Sequence, residues 1–389
     1  MKKKPILLFV VNEAYFFVSH RLPIAQEAQR LGYEVHIAAP RDNVWAPEGF
    51  SVEALAGSGL THHEIPMSRR GTRLHEELRT FLAIWRLYRR LRPDIVHHLT
   101  IKPNLYGGLA ARLSGVPGVV YAITGLGQMF VSNRGPLRWL RPIVLMLMRI
   151  AFGPDNKRVI VQNTSDREFL GGNGVVELGD TVLIQGSGVD LAQFKPSPEP
   201  AGEPVVVLPS RLIWEKGIQE FVDAAKMLRA QGLAARFALV GNTHASNPRA
   251  VPETTLRGWA DDGVVEWWGR REDMPQVMAA CHIVCLPSKY GEGVPKVLLE
   301  AAAAGRPVVA TDTPGCREVI EDGVEGRLVP AGDATALAAA LRRLIESPDQ
   351  RRAMGAAGRK RATKDLDIKQ VVARTLVIYG ELQAASGDS

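Results

Sequence analysis

Two glutamates bracket the start of a predicted helix in the stretch Gly291-Glu292-Gly293-Val294-Pro295-Lys296-Val297-Leu298-Leu299-Glu300-Ala301. A helix from Pro295 to Ala304 opens with proline at its first position, where the missing N–H has no intrahelical partner to lose. The remaining free amides, those of Val294, Lys296 and Val297, face whatever lies ahead of the helix, and such an end attracts phosphate. Lys296 adds a positive charge to it. Glu292 sits in the loop beside the anion, and Glu300 lies about one and a half turns inside the helix. A single ligand carrying a diphosphate, a ribose and a sugar would use all three features.

A second set of groups lies upstream. After the predicted strand Val205 to Leu208 come Ser210, Arg211, Leu212 and then Lys216-Gly217, ahead of a helix from Ile218 to Ala230. A guanidinium and an ammonium in one strand-to-helix turn can clamp diphosphate oxygens and neutralise a departing diphosphate. The plainer alternative is a pair of solvated loop charges. Gly241-Asn242 follows the strand Arg236 to Val240, and Gly269-Arg270 follows the strand near Val264 to Trp267. Glycines there let the backbone approach a flat ligand.

These turns need a scaffold, and short β-branched runs alternating with longer helical patterns supply one: parallel sheets covered by helices. In the first half the strands are Ile6 to Val11, Glu34 to Ala38, Ile95 to His97, Val119 to Ala122 and Arg158 to Val161, with a helix from Leu22 to Leu31 closed by Gly32. The pattern restarts with Val205 to Leu208 and continues through Ile283 to Leu286 and Val308 to Ala310. The proline-rich stretch from Phe194 to Pro200 suits a linker. The expected division is residues 1–195 and 196–367, with a terminal helix, 368–384, crossing back onto the first domain by analogy. Facing doubly wound domains place ligands at the carboxyl ends of their strands, in a central cleft.

Composition narrows the function. The 389-residue chain is long enough for two domains, and it has no run of 18 apolar residues that would span a bilayer. Lys2-Lys3-Lys4 before Ile6 to Val11 lacks the length and cleavage site of a secretion signal. Cys281, Cys285 and Cys316 form no metal-ligand or redox spacing, which fits core residues in a reducing compartment. Residues 1–150 carry 20 Lys/Arg against 10 Asp/Glu, and residues 151–389 carry 28 against 31. The basic excess concentrates in two apolar, Trp-bearing stretches, Leu78 to Arg92 and the run containing Arg134, Arg138, Trp139, Arg141 and Arg149. They suit an anionic membrane surface, or core helices with arginines reaching to solvent from their edges. No nucleic-acid motif accompanies the charge. A dinucleotide-dependent dehydrogenase is disfavoured, because no Gly-x-Gly-x-x-Gly follows Val11 or Leu208.

Taken together, Ser210-Arg211-Leu212 with Lys216-Gly217, Gly269 after Glu266-Trp267-Trp268, Glu292 to Glu300, and Pro307 to Thr311 through Gly315, Glu318 and Gly326 resemble the donor domain of the retaining enzymes of glycosyltransferase family 4, with the GT-B fold. Ser187-Gly188-Val189-Asp190 with Phe194 and Pro196 is similar to that family's passage between domains. The resemblance covers roughly residues 180–340. It implies a nucleotide-sugar donor with Arg211 and Lys216 on the diphosphate, Glu300 on the ribose hydroxyls and Glu292 on the transferred sugar. Gly241, Gly269, Arg270, Gly293, Val294, Lys296 and Val297 complete the expected donor site. Glu292 either stabilises developing positive charge or orients hydroxyls.

The first half departs from the family. Asn12-Glu13-Ala14 replaces the glycine pair expected after the first strand, and Thr124 stands where relatives carry a histidine. The segments Phe17 to Pro23, His97 to Gly107 and Thr124 to Phe130 resemble a bacterial subgroup that extends lipid-linked or surface polysaccharides. Asn12, Ser19, His20, Arg21, His97 and Thr124 are the acceptor-side candidates, with His20 and Arg21 opening a helix. His97 and His98 close a strand, as functional groups or as satisfied core.

The expected activity is transfer of a hexose or N-acetylhexosamine from a UDP-sugar to a lipid-linked saccharide at the cytoplasmic membrane face. No cofactor and no metal are expected, since the single Asp-x-Asp, Asp365-Leu366-Asp367, lies away from the strand ends. A sugar-nucleotide epimerase and a non-catalytic sugar-nucleotide-binding protein are the alternatives.

Overall fold

The computed structural model describes residues 4–41, 50–68, 73–126, 141–244, 247–290 and 293–387. Its contacts divide the chain into two compact units, Met1–Ser187 with Gln370–Ser389, and Gly188–Lys369. The first division lies ahead of the expected 195/196 boundary because Val189 and Phe194 already pack in the second unit's core. Val189 also pairs in parallel with Asp367.

In the first unit β1 (Ile6–Val11), β2 (Glu34–Ala39), β3 (Thr61–Glu64), β4 (Ile95–Leu99), β5 (Gly118–Ile123), β6 (Lys157–Val161) and β7 (Thr181–Leu183) form one sheet in the order β3-β2-β1-β4-β5-β6-β7. All its pairings are parallel. Alternating side chains feed two cores, as the period of two requires. Leu8 and Val10 join the core under helices Leu74–Leu91, Gly108–Ser114 and Arg141–Ala151. Leu7, Phe9 and Val11 join the core under helices Ala14–Arg30 and Ile368–Gly387.

The second unit holds β8 (Val205–Pro209), β9 (Arg236–Val240), β10 (Glu266–Gly269), β11 (Ile283–Leu286), β12 (Val308–Thr311) and β13 (Gly326–Val329), ordered β10-β9-β8-β11-β12-β13 and again parallel throughout. Helix Ile218–Ala230 covers one face and helix Lys296–Ala303 the other. The three cysteines are buried free thiols.

Several boundaries differ from expectation for local reasons. β4 runs on to Leu99, which puts His97 and His98 inside the strand. The first helix begins at Ala14 and contains Pro23, so His20 and Arg21 lie within it rather than at its start. The strand expected at Val264 to Trp267 is shifted to Glu266–Gly269. Helix Lys296–Ala303 takes Pro295 as its N-cap instead of its first helical residue.

Candidate functional site

In the second sheet the chain reverses its strand order between β8 and β11, which lie side by side with Val206 opposite Ile283. Open α/β sheets bind ligands in the crevice beyond the carboxyl ends of strands at such a reversal. The loops leaving β8 and β11 are fastened together there. Lys289 N–H donates to Glu215 O at 2.8 Å, and Lys289 Nζ reaches Glu220 at 2.6 Å. Gly217 adopts φ 74°, and a Cβ on it would stand 2.0 Å from Pro287 O. Glycine is required twice over: by the left-handed backbone and by the contact. Gly217→Ala is expected to destabilise the protein by at least about 1–3 kcal/mol from backbone strain alone. Urea denaturation checks this, and wild-type stability in that variant would refute the contact.

Lys216, one residue earlier, closes a single 3₁₀ turn, Trp214–Lys216. It is 7% exposed, and its ammonium lies 5.9 Å from the Tyr290 ring centre. A mobile, normally solvated cation is thus held at the junction of the two loops. Arg211, in the same loop, is half-buried. Gly241 and Gly269 join the ends of β8, β9 and β10. Gly241 N–H donates to Gly269 O at 2.8 Å, and the Trp267 indole donates to Gly241 O at 2.9 Å. A Cβ on Gly241 would lie 1.9 Å from Ser210 O. At Gly269, φ 67°, a Cβ would meet Asn242 Oδ1 at 3.9 Å, an ordinary contact, so conformation and not crowding selects glycine there. Arg270 pairs with Glu272 at 3.7 Å.

At the end of β11, Val294 is buried in the core, and its helix follows directly. By position Lys296 and Val297 carry first-turn amides, which lack intrahelical acceptors. With Pro295 at the cap, the amide that proline removes is the cap's own, and the first turn keeps its donors. Glu300 is 6% exposed, and Lys296 Nζ lies 3.6 Å from it. Burial pushes its carboxyl above the usual carboxylate range, with Lys296 opposing the shift. Gly291 and Glu292 lie outside the described residues, which resume at Gly293.

The residues expected to bind donor therefore share one edge of one sheet. Lys289, which the sequence reading passed over, is one of the groups that hold that edge together. Its signal was only its position three residues past the end of β11.

The acceptor-side candidates are scattered. Asn12 follows β1 directly, and Thr124 follows β5; both are part-exposed. Ser19 and His20 bond to each other at 2.6 Å, and His20 stacks on Phe16. Arg21 is 3% exposed. Desolvation brings its guanidinium down to about 10, with Tyr379 opposing the shift. His97 is buried in the core, Nδ1 bonded to the Tyr379 hydroxyl at 2.6 Å, and burial holds it neutral, well below the usual histidine range. His98 points to the opposite face and bonds Tyr88 at 2.7 Å, where burial drives it down to about 3. Both histidines are buried core groups with one ring nitrogen bonded and the other, His97 Nε2 and His98 Nδ1, without a hydrogen-bond partner, and burial removes His97 from the solvent-reaching set.

Sequence comparisons agree with this geometry. The family described as glycosyl transferase 4-like matches residues 6–163, and the family described as glycosyl transferases group 1 matches residues 203–347. The chain is 26% identical, over 84% of its length and 85% of the relative's, to the N,N'-diacetylbacillosaminyl-diphospho-undecaprenol alpha-1,3-N-acetylgalactosaminyltransferase of Campylobacter jejuni. It is 25% identical, over 84% and 86% of the two chains, to the UDP-Gal:alpha-D-GlcNAc-diphosphoundecaprenol alpha-1,3-galactosyltransferase of Escherichia coli. Among solved structures, Anabaena HepE with UDP and glucose superposes with TM-score 0.71 at 21% identity, covering 95% of this chain and 99% of its own. Sucrose-phosphate synthase from Thermosynechococcus elongatus gives TM-score 0.78 at 20% identity over 98% and 100%. With two parallel Rossmann-like sheets and both family matches on one chain, this protein belongs to the glycosyltransferases of the GT-B fold.

Proposed function

We propose that the enzyme transfers a hexose or N-acetylhexosamine from a UDP-sugar to a saccharide carried on a lipid diphosphate, with retention of configuration and without a divalent ion. The observation that supports this reading is that buried Lys216 and half-buried Arg211 lie in the loop leaving β8, which is joined to the loop that leaves β11 and leads to helix Lys296–Ala303, at the strand-order reversal of the second sheet. These groups supply positive potential to a diphosphate. In the proposed step the bond between the anomeric carbon and the β-phosphate oxygen breaks, and UDP leaves as Arg211 and Lys216 balance its charge. The acceptor hydroxyl adds to the same face of the sugar, and its proton passes to the departing phosphate oxygen. Glu300 holds the ribose diol, and Glu292 is assigned to the sugar.

The lipid-linked acceptor is supported by the two named relatives, whose names specify undecaprenol-diphosphate sugars. The test combines thermal stabilisation by a panel of UDP- and GDP-sugars with transfer assays in EDTA, using polyprenyl-diphosphate saccharides. Stabilisation by a UDP-sugar and a product of retained configuration are expected, since any ligand preferring the folded state raises Tm. Neither binding nor transfer across the panel overturns the proposal. Release of an altered sugar nucleotide without acceptor would instead identify an epimerase.

Such an acceptor places the enzyme at an anionic membrane surface, peripherally on the cytoplasmic face. No described helix is long and apolar enough to cross a membrane. Helices Leu74–Leu91 and Arg141–Ala151 pack on the same face of the first sheet and expose Leu74, Leu78, Ile143, Met146 and Ile150 among Arg86, Arg89, Arg90 and Arg149. Ile143→Glu with Met146→Glu is expected to weaken binding to phosphatidylglycerol vesicles by roughly 100-fold or more, since each such side chain contributes about 1.5–3 kcal/mol when buried. Vesicle co-sedimentation equal to wild type would remove this helix from the membrane surface.

A further inference from the structure

Three independent observations converge at the carboxyl end of β4. The first is backbone strain. Thr100 has φ 76°, and the other described non-glycine residue with positive φ is Arg92, at 49°. Arg92 terminates helix Leu74–Leu91 as a left-handed cap, a routine use of that conformation. Thr100 has no such excuse: it is β-branched, and left-handed backbone costs a non-glycine residue about 1–3 kcal/mol. The second is a π-helical turn, Pro103–Gly107, immediately downstream, a feature concentrated at functional sites. It is pressed against the sheet, for a Cβ on Gly107 would lie 2.4 Å from His98 Nε2, and the helix that follows is pressed against helix Arg141–Ala151, for a Cβ on Gly108 would lie 2.7 Å from Ala151 O.

The third is a pair of shielded oxygens, Thr100 Oγ1 and Asn104 Oδ1, without hydrogen-bond partners. Asn104 is 1% exposed, and its Nδ2 donates to Ala122 O at 3.0 Å. Each unpaired buried oxygen costs about 1–3 kcal/mol. The pair stands where β1 and β4 adjoin and the first sheet reverses its strand order, the ligand-binding crevice of such sheets. Thr124, at the end of neighbouring β5, is part-exposed beside it.

We propose that Thr100 and Asn104 form a subsite for a sugar hydroxyl or acetamido N–H of the acceptor, which would supply the partner that both shielded oxygens lack; Thr100 is the residue of the pair with exposed surface. This rests on the glycosyltransferase activity proposed above. The chemistry is selective. Asn104 Oδ1 is an amide oxygen and can only accept, so its partner must bring a proton. A diphosphate brings only acceptors; a saccharide brings hydroxyls. Asn104 Oδ1 is therefore matched by the saccharide of a lipid-linked acceptor and not by its phosphates, while the Thr100 hydroxyl can donate or accept.

The test uses the full chain saturated with UDP, with methyl N-acetylglucosaminide and methyl galactoside as probes in saturation-transfer NMR. A glycoside signal is expected for wild type and is unaffected by excess inorganic pyrophosphate. It falls in Thr100→Val, which keeps the side-chain shape, and returns in Thr100→Ser. In transfer assays Thr100→Val raises the acceptor KM about tenfold, the worth of one hydrogen bond, and leaves the KM for the UDP-sugar unchanged. Absence of a wild-type signal, displacement by pyrophosphate, or wild-type binding by Thr100→Val overturns the subsite. Glycoside binding as described, but with no transfer from any UDP-sugar, overturns the proposed activity and leaves the subsite standing.

Discussion

Lys216→Ala is expected to lower kcat by roughly 100- to 1000-fold while changing the donor KM far less, the range seen when one preorganised group opposite developing charge is removed. The size of the effect follows from burial. At 7% exposure the ammonium works in a poorly screened setting, where a charge acts more strongly than it would in water. Its position is fixed by the Gly217 contact with Pro287 and by the bond from Lys289 to Glu215, so little reorganisation is needed when the diphosphate departs. Lys216→Arg should restore only part of the rate, because a planar guanidinium does not replace a compact ammonium in a packed position. Single-turnover kinetics give the readout. Unchanged kcat in Lys216→Ala would remove this residue from leaving-group stabilisation.

Glu300→Gln should weaken UDP binding by about 10- to 100-fold and at the same time stabilise the ligand-free protein near neutral pH. The binding loss reflects hydrogen bonds to a charged group, worth roughly 1.5–3 kcal/mol. The stability gain follows from the raised carboxyl. An unfolded chain ionises this group at its ordinary value of 4.5, whereas the folded protein keeps the proton to higher pH. Between those two values the native state binds more protons, so stability falls as pH rises through that window and stays reduced above it. Glutamine removes the component. Calorimetric Tm against pH should show the fall in wild type and its absence in the variant. A lower neutral-pH Tm together with unaltered UDP affinity would contradict the assignment.

The sequence revealed the central strands because they are apolar on both faces, as buried parallel strands must be. β3 reads Thr61-His62-His63-Glu64 and lies at the sheet edge, where one side needs no strand partner and the apolar signal disappears. β7, three residues long, was lost for lack of length. Pro23 misplaced the start of the first helix, since proline usually marks a first turn, and Glu13 gives no side-chain cap to mark the true one. The residues proposed for the donor were legible as a group at one set of strand ends because charge and glycine there carry their own chemical meaning. The acceptor candidates were not: His97 and His98 bond to tyrosines ten residues before His98 and 282 after His97. The opposite orientations themselves follow from the strand's period of two; it is the tyrosine partners that are invisible to local pattern. Thr100 and Asn104 were missed for the same reason, because strain and unpaired oxygens exist only in three dimensions.

The packing of helix Ile368–Gly387 on the first sheet also bears on biosynthesis. Val371, Ile378, Tyr379 and Leu382 fill the same core as Leu7 and Phe9, so the unit that is translated first is completed last. A ribosome must deliver the whole of Gly188–Lys369 before Tyr379 can meet His97. Until then the nascent first unit carries an open apolar face, while the second unit, contiguous in sequence, can close as soon as it emerges. Emergence of helix Ile368–Gly387, not the halfway point of translation, sets the moment at which the amino-terminal core is sealed.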